Sequence, residues 1–256
     1  MPDLDQKPTL ILIHGAWAGS WGWHKLQPLL AASAIPSIAI DLPGNGVTEG
    51  APGEICLKGY VEYVIQEIEP IQGKVVLVGH SGGGVTATQV AEAVPERVAG
   101  IVFVTAMMLP SGMGFAQLTA ALKAADPSVI GIGPHLEWSD DHLLSHVPAQ
   151  AAKELFLHDL PEDEAEAAAA KLTPQPEGGR AIVARWTEEG FGSIPRLYVE
   201  ALKDRSVVLS AQRKMQELVP GAKVVSLDTG HFPQAAAPEA LAAEIIRFTD
   251  SLVDYA

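Results

Sequence analysis

The chain has 256 residues, with 17 Lys plus Arg against 31 Asp plus Glu, giving a formal net charge of −14. An acidic balance of that size excludes nucleic acid and anionic membrane surfaces as charge-driven partners, because both need clustered positive charge. A chain this long buries a core without a metal or disulfide staple, and the one cysteine, Cys56, has no internal partner.

Residues 1–9 are short, polar and acidic rather than a basic start followed by an apolar run, so no secretory signal is expected. No stretch approaches the ~18 apolar residues of a membrane span. The expected compartment is cytoplasmic, and homodimerisation is left open.

In chain order, residues 9–13 form an apolar strand stopped by His14-Gly15. Residues 23–32 show helical spacing at Leu26, Leu29 and Leu30, and 37–40 form a second strand broken by the turn cluster 41–46. A longer amphipathic helix is expected at 57–71, with Val61, Val64, Ile65 and Ile68 on one face. Residues 74–78 are a continuous Val/Leu run suited to a strand buried on both sides. That run leads into Gly79-His80-Ser81-Gly82-Gly83 and a helix through Val94, and 101–104 form another buried strand.

After Met107 the pattern changes to alanines, prolines and scattered acids with no clear strand, and 164–170 read as a helix. Strands resume at 196–199 and 223–227, with helices at about 210–218 and 238–253. Alternating strands and helices predict an α/β fold with a mostly parallel sheet flanked by helices. Residues 1–106 and 193–256 are expected to form the core, and 107–192 a helical cap inserted in it.

The chemistry begins at Gly79-x-Ser81-x-Gly83, placed between a strand and a helix. A sharp turn there lifts a hydroxyl above the sheet and needs small residues where strand and helix crowd together. No lysine follows the glycines, so a phosphate-binding loop of the Gly-Lys-Ser kind is excluded. A serine hydroxyl needs a histidine base. Of eight histidines, His14 and His80 flank turns, while His135, His142, His146 and His158 lie in the cap. His231 follows the last strand and alone fits the chain order serine, acid, histidine.

No carboxylate follows the strand at 101–104, so the acid is sought after 196–199. Asp204 is the first choice, with Glu200 and Asp228 as alternatives. The two oxyanion donors are expected to be the backbone N–H groups of Gly82 and Ala16.

With these residues assembled, the sequence resembles the α/β-hydrolase superfamily along nearly its whole length. Leu12-Ile13-His14-Gly15-Ala16-Trp17 and Gly19-Ser20-Trp21-Gly22-Trp23-His24-Lys25-Leu26 resemble the plant hydroxynitrile lyase and methylesterase group. The stretch from Ile194 to Asp204, and Val224-Val225-Ser226-Leu227 with the histidine after it, resemble bacterial pyrethroid-hydrolysing carboxylesterases. The resemblance implies the acid at Asp204 and oxyanion donors at Ala16 and Gly82. The cap matches poorly, so substrate identity is not carried over.

The expected function is a serine carboxylesterase acting on hydrophobic esters, with no cofactor and no metal. Gly15, Trp17, Met107 and Phe232 are expected to face substrate, below an apolar cap cleft formed by Leu118, Leu136, Trp138, Leu155, Phe156 and Trp186. The pair His142 and His146 has metal-ligand spacing, but a solvated cap helix explains it better. Alternatives on the same triad are a cofactor-free perhydrolase and a hydroxynitrile lyase, and a further one is a ligand sensor with a slow site. The lyases of the resembling group carry a lysine after the catalytic histidine and a threonine after the first-strand histidine. Here Phe232 and Gly15 stand at those positions.

Overall fold

The computed structural model describes residues 7–253. The expected absence of a signal segment falls mostly on residues 1–6, which lie outside that range. Among the described residues no helix is long and apolar enough to cross a membrane.

The elements run β1 (Thr9–Ile13), α1 (Leu26–Ala32), β2 (Ser37–Ile40), α2 (Leu57–Ile68), β3 (Val75–His80), α3 (Gly83–Ala93) and β4 (Val98–Val104). An insertion follows, holding α4 (Phe115–Ala125), β5 (Glu137–Trp138), β6 (Leu144–His146), α5 (Ala149–Leu155), α6 (Glu162–Ala169), β7 (Gln175–Pro176) and α7 (Glu177–Arg180). The core resumes with β8 (Arg196–Ala201), α8 (Leu209–Leu218), β9 (Lys223–Leu227), α9 (Pro233–Ala236) and α10 (Pro238–Val253).

Six strands form one parallel sheet in the order β2-β1-β3-β4-β8-β9. The apolar runs predict this burial, because a parallel strand covered on both faces has no polar side to show. Alternate residues of one strand serve opposite layers. Leu10 and Leu12 pack with Trp23, Leu26, Leu241 and Ile245 under α1 and α10, whereas Ile11 and Ile13 pack with Val61 and Val64 of α2 and Val90 of α3.

From β1 the chain moves to one edge at β2, returns to β3 on the other side of β1, then steps outward through β4, β8 and β9. This reversal creates a crevice at the carboxyl ends of β1 and β3, where ligands bind in open α/β sheets. His14-Gly15-Ala16 leave β1 there and Ser81 leaves β3 there.

The insertion departs from expectation in one respect. Besides helices it holds a three-stranded antiparallel sheet, β5-β6-β7. His142 and His146 therefore lie on a hairpin rather than a helix, with His142 in its turn at φ 57 and His146 paired to Glu137 at 2.9 Å in solvent. Strands of two or three residues are too short for a period of two to appear in the sequence.

Candidate active site

Ser81 occupies the turn between β3 and α3 with φ 51, in the left-handed region that non-glycine residues rarely enter. The glycines on either side are demanded by space. A Cβ on Gly79 would lie 2.8 Å from Gly83 O and Gly84 N, and one on Gly83 would lie 2.6 Å from the carbonyl oxygens of Ile13 and His14. Backbone bonds hold the turn: Ser81 N–H donates to Val104 O (3.3 Å), and Ser81 O accepts from Met107 N–H (2.9 Å) and Gly84 N–H (3.2 Å).

His231 follows β9, and its Nδ1 lies 2.8 Å from Asp204 Oδ2. Both side chains are buried, at 2% and 0% exposed. Asp204 Oδ1 accepts the N–H groups of Ser206 (2.7 Å) and Val207 (3.0 Å), and Oδ2 also accepts Gln212 Nε2–H (3.2 Å). A carboxylate with this donor set stays an acceptor towards His231, so the imidazole proton is held on Nδ1 and Nε2 is left free to act as a base. The carbonyl of His231 accepts from His80 Nε2–H (2.7 Å) and Thr105 Oγ1–H (3.1 Å), tying this residue to the start of the serine turn and to the end of β4.

The rival acids are engaged elsewhere. Glu200 is buried on β8 against Arg213, Gln216 and Ser226, which hold its carboxyl below the usual range despite burial pushing the other way. Asp228 is exposed and paired with Lys203 at 2.7 Å. Among the described residues no hydrogen bond joins the Ser81 hydroxyl to His231; such contacts commonly tighten only when substrate is present.

The loop after β1 is shaped by His14. Its Nε2 accepts Leu42 N–H (3.0 Å), so Nδ1 carries the proton and donates to Gly15 O (2.7 Å). Burial keeps this imidazole below its ordinary pKa. In a trans peptide the N–H points opposite to the C=O, so fixing Gly15 O turns Ala16 N–H away from His14. A Cβ built on Gly82 would lie 3.9 Å from Ala16 N, so the loop after β1 lies against the start of α3. A Cβ on Gly15 would lie 2.6 Å from Ser81 Cβ, so glycine there is required by close packing against the serine.

A cavity of about 540 Å³ opens above Ser81, Gly82 and Ala16, within the range that holds small organic ligands. Gly15, Trp17 and Met107 line it, as do the apolar side chains of Phe115, Val129, Ile132, Ile182, Val207 and Val208. Phe232 does not. Its ring is 2% exposed and packs against His80, Phe156 and Trp21, with centroids 4.6, 6.0 and 6.3 Å away. Phe232 thus backs the histidine loop instead of facing substrate.

The expected cap cleft is also corrected, since none of Leu118, Leu136, Trp138, Leu155, Phe156 and Trp186 lines the cavity. Leu118 is core beneath α4, and Phe156 lies between Trp17 and His231 with centroids 6.1 and 5.3 Å away. Trp186 donates to Leu109 O at 2.9 Å, and Trp138 lies under Arg180.

Among the lining residues not expected from the sequence, Asn45, Tyr60 and Gln175 form a hydrogen-bonded polar set. Tyr60 O–H donates to Asn45 Oδ1 (3.0 Å), Asn45 Nδ2–H to Gln175 Oε1 (2.9 Å), and Gln175 Nε2–H back to the Tyr60 oxygen (3.2 Å). Burial pushes the Tyr60 phenol up to about 12, so it remains a neutral donor at any working pH. The available signals were a polar residue in the 41–46 turn and a hydroxyl on the apolar face of α2.

A family model described as the alpha/beta hydrolase family matches residues 10–244. The pyrethroid hydrolase of Sphingobium wenxiniae is 29% identical over 267 residues, covering 96% of this chain and 89% of that protein. Methylesterase 1 of Arabidopsis thaliana is 27% identical, covering 99% of this chain and all (100%) of that protein. The crystal structure of a pyrethroid hydrolase from Sphingobium faniae superposes with a TM-score of 0.82 at 27% identity, over 97% of this chain and 99% of that one. With a parallel six-stranded sheet, a serine turn after β3 and a family match across most of its length, the chain belongs to the α/β-hydrolase family.

Proposed function

We propose that this α/β-hydrolase is a serine carboxylesterase, with Ser81 as nucleophile, His231 as base and Asp204 as the acid that orients it. The observation carrying the reading is the buried Asp204–His231 hydrogen bond of 2.8 Å, tied through the His231 carbonyl to His80, which precedes Ser81, and to Thr105 at the end of the neighbouring β4. Relatives named as pyrethroid hydrolase and methylesterase support ester hydrolysis as the reaction class.

In the proposed cycle the Ser81 oxygen attacks the ester carbonyl carbon as its proton passes to His231 Nε2. The carbonyl π pair moves onto oxygen, which the N–H groups of Ala16 and Gly82 receive. Collapse breaks the bond to the alcohol, which leaves with the proton from His231, and an acyl-Ser81 ester remains. Water then loses a proton to His231, attacks that ester, and the acid departs as Ser81 regains its proton. Asp204 stabilises the transient imidazolium without taking a proton.

The apolar wall suits a hydrophobic acyl or alcohol group. Arg180, the Lys or Arg on that wall among the described residues, is engaged bidentately by Glu177 at 2.7 and 2.8 Å, which leaves no unpaired positive side chain among the described lining residues for a departing cyanide. Esterase is therefore favoured over lyase.

The test is Ser81→Ala together with active-site labelling. Hydrolysis of a p-nitrophenyl ester should fall on the order of 10⁴–10⁶ in kcat with folding intact. An aryl phosphonate should add one mass to Ser81 alone. Full activity in the variant, or labelling elsewhere, overturns the reading; a wild-type protein that turns over no aryl ester would favour a ligand sensor.

A further inference from the structure

Ala16 lies between two peptide planes. The first, Gly15–Ala16, is fixed from the core side by His14, whose tautomer is set by Leu42. The second, Ala16–Trp17, is fixed from the cap side, because Trp17 N–H donates to Gln175 Oε1 at 3.1 Å. Together these contacts determine the backbone angles of Ala16 and so the direction of its N–H. The second plane needs holding, since Trp17 has φ 61, which a bulky residue keeps only under constraint from its surroundings.

We propose that Gln175 is a positioning residue that sets the Ala16 oxyanion donor from the cap, which rests on the reading of Ala16 and Gly82 as that hole. Gln175 is 1% exposed and its amide is fully used. Its Oε1 accepts from Trp17 N–H and Asn45 Nδ2–H, and its Nε2 donates to the Tyr60 hydroxyl and to Pro176 O (3.0 Å). These partners admit one orientation only. A flipped amide would put an NH₂ against the Trp17 N–H and an oxygen against the Pro176 carbonyl.

The cap strand carrying Gln175 is itself seated without slack. A Cβ on Gly178 would overlap the Ile55 carbonyl oxygen, and one on Gly179 the Tyr60 hydroxyl. Two adjacent glycines thus let the cap backbone reach the core closely enough for Gln175 to meet Trp17. Thr173 N–H, which donates to Trp17 O at 2.9 Å, secures the same residue from the other side.

A residue that merely glued cap to core would affect stability, and substrate binding where the cap lines the cavity. One that aims an oxyanion donor must act on the transition state. Removing an oxyanion donor costs about 10²–10³ in kcat, and misplacing one costs part of that. Gln175→Leu, which keeps the bulk but loses both functions of the amide, should lower kcat on p-nitrophenyl butyrate by about 10- to 100-fold with KM nearly unchanged. An aryl trifluoromethyl ketone, whose hemiketal oxygen would occupy the same hole, should bind more weakly by the same factor as kcat/KM falls.

Gln175→Glu, protonated in this buried position so that its O–H replaces the amide donor towards Pro176 O, keeps an oxygen towards Trp17 N–H and should recover most of the lost kcat. Tyr60→Phe removes one oxygen, loosens the amide, and should lower kcat by a smaller factor with the same pattern. If Gln175→Leu does not fold, Gln175→Glu and Tyr60→Phe decide the matter by kcat, KM and ketone affinity.

An unchanged kcat in folded Gln175→Leu, or in Tyr60→Phe where Leu does not fold, overturns the inference. So does a loss confined to KM or to melting temperature, or a ketone affinity that does not follow kcat/KM. Ser81→Ala assayed in parallel separates the two levels. Loss of activity there, with Gln175→Leu unaffected, overturns this inference alone. Activity surviving in Ser81→Ala overturns the parent reading and this inference with it.

Discussion

Asp204→Asn changes one atom in the fully buried carboxylate that holds His231. Asp204 Oδ1 receives two backbone N–H groups, from Ser206 and Val207, and Oδ2 receives Gln212 Nε2–H and faces His231 Nδ1. An amide has one acceptor oxygen and one donor nitrogen. If the oxygen stays with the two backbone donors, the NH₂ confronts Gln212 and His231. Gln212 cannot turn to accept it, because its Oε1 accepts Ala201 N–H (3.1 Å) and its Nε2 also donates to Val207 O (2.7 Å). The opposite orientation would set the NH₂ against two buried backbone donors and is worse.

His231 must then offer a lone pair at Nδ1 and carry its proton on Nε2, where it cannot accept the Ser81 proton. The clash with Gln212 should cost about 1–3 kcal/mol of stability, the usual penalty for a buried donor without a partner. The wrong tautomer should cost on the order of 10³–10⁴ in kcat, with KM little changed. Steady-state hydrolysis of an aryl ester, beside urea unfolding of the same preparation, measures both. Glu200→Gln should lose stability but little kcat, and Asp228→Asn almost nothing, since an exposed ion pair is worth about 0–1 kcal/mol. A kcat for Asp204→Asn within tenfold of wild type (about 1.4 kcal/mol), or a larger loss in either control, would refute the reasoning.

Gly15→Ala should lower kcat by about 10²-fold and reduce the melting temperature, because the new methyl must displace the Ser81 side chain it would touch; an active, equally stable variant would remove the close-packing account. Burial holds His14 below the ordinary histidine value of 6.5 and His80 well below it, with the neighbouring His231 adding to the effect at His80. A folded-state value depressed below the unfolded one gives stability that is full above pH 6.5 and is lost as pH falls below it. Each histidine should contribute a slope of at most about 1.4 kcal/mol per pH unit. Urea unfolding between pH 7.5 and 5 reads this directly, and a flat profile would mean that neither imidazole stays neutral on folding. With Arg180 bound to Glu177, mandelonitrile should release no cyanide above the buffer rate; enzyme-dependent release that disappears in Ser81→Ala would restore the lyase reading.

The parts of the fold legible in the sequence are those whose physics is local. Residues 9–13, 37–40 and 223–227 are strands with the bounds that their apolar runs and turn residues suggest. The serine turn is local in part: Gly79 answers to Gly83 and Gly84, whereas Gly83 answers to the Ile13 and His14 carbonyls at the end of β1. Phe232 marks where such reading stops. Its place beside His231 suggested a cavity wall, but α9 begins at Pro233 and the ring turns back onto Trp21 and Phe156, a direction no period encodes. The short strands β5, β6 and β7 fall below the length at which alternation can be counted. Asn45, Tyr60 and Gln175 come together across 15 to 130 positions of chain, so composition and spacing carry no trace of their contact.

The two halves of the site differ in the same way. Asp204, the proposed acid, is set by its own neighbourhood, since Ser206, Val207 and Gln212 all follow it within eight positions. The groups proposed to meet the substrate are held from the cap: Asp159 accepts Gly230 N–H beside His231, and Gln175 accepts Trp17 N–H beside Ala16. A loosened cap should therefore leave the Asp204 cradle intact while it disturbs His231 and the oxyanion loop together. Under the proposed mechanism, substitutions at these cap contacts should alter kcat and not KM alone.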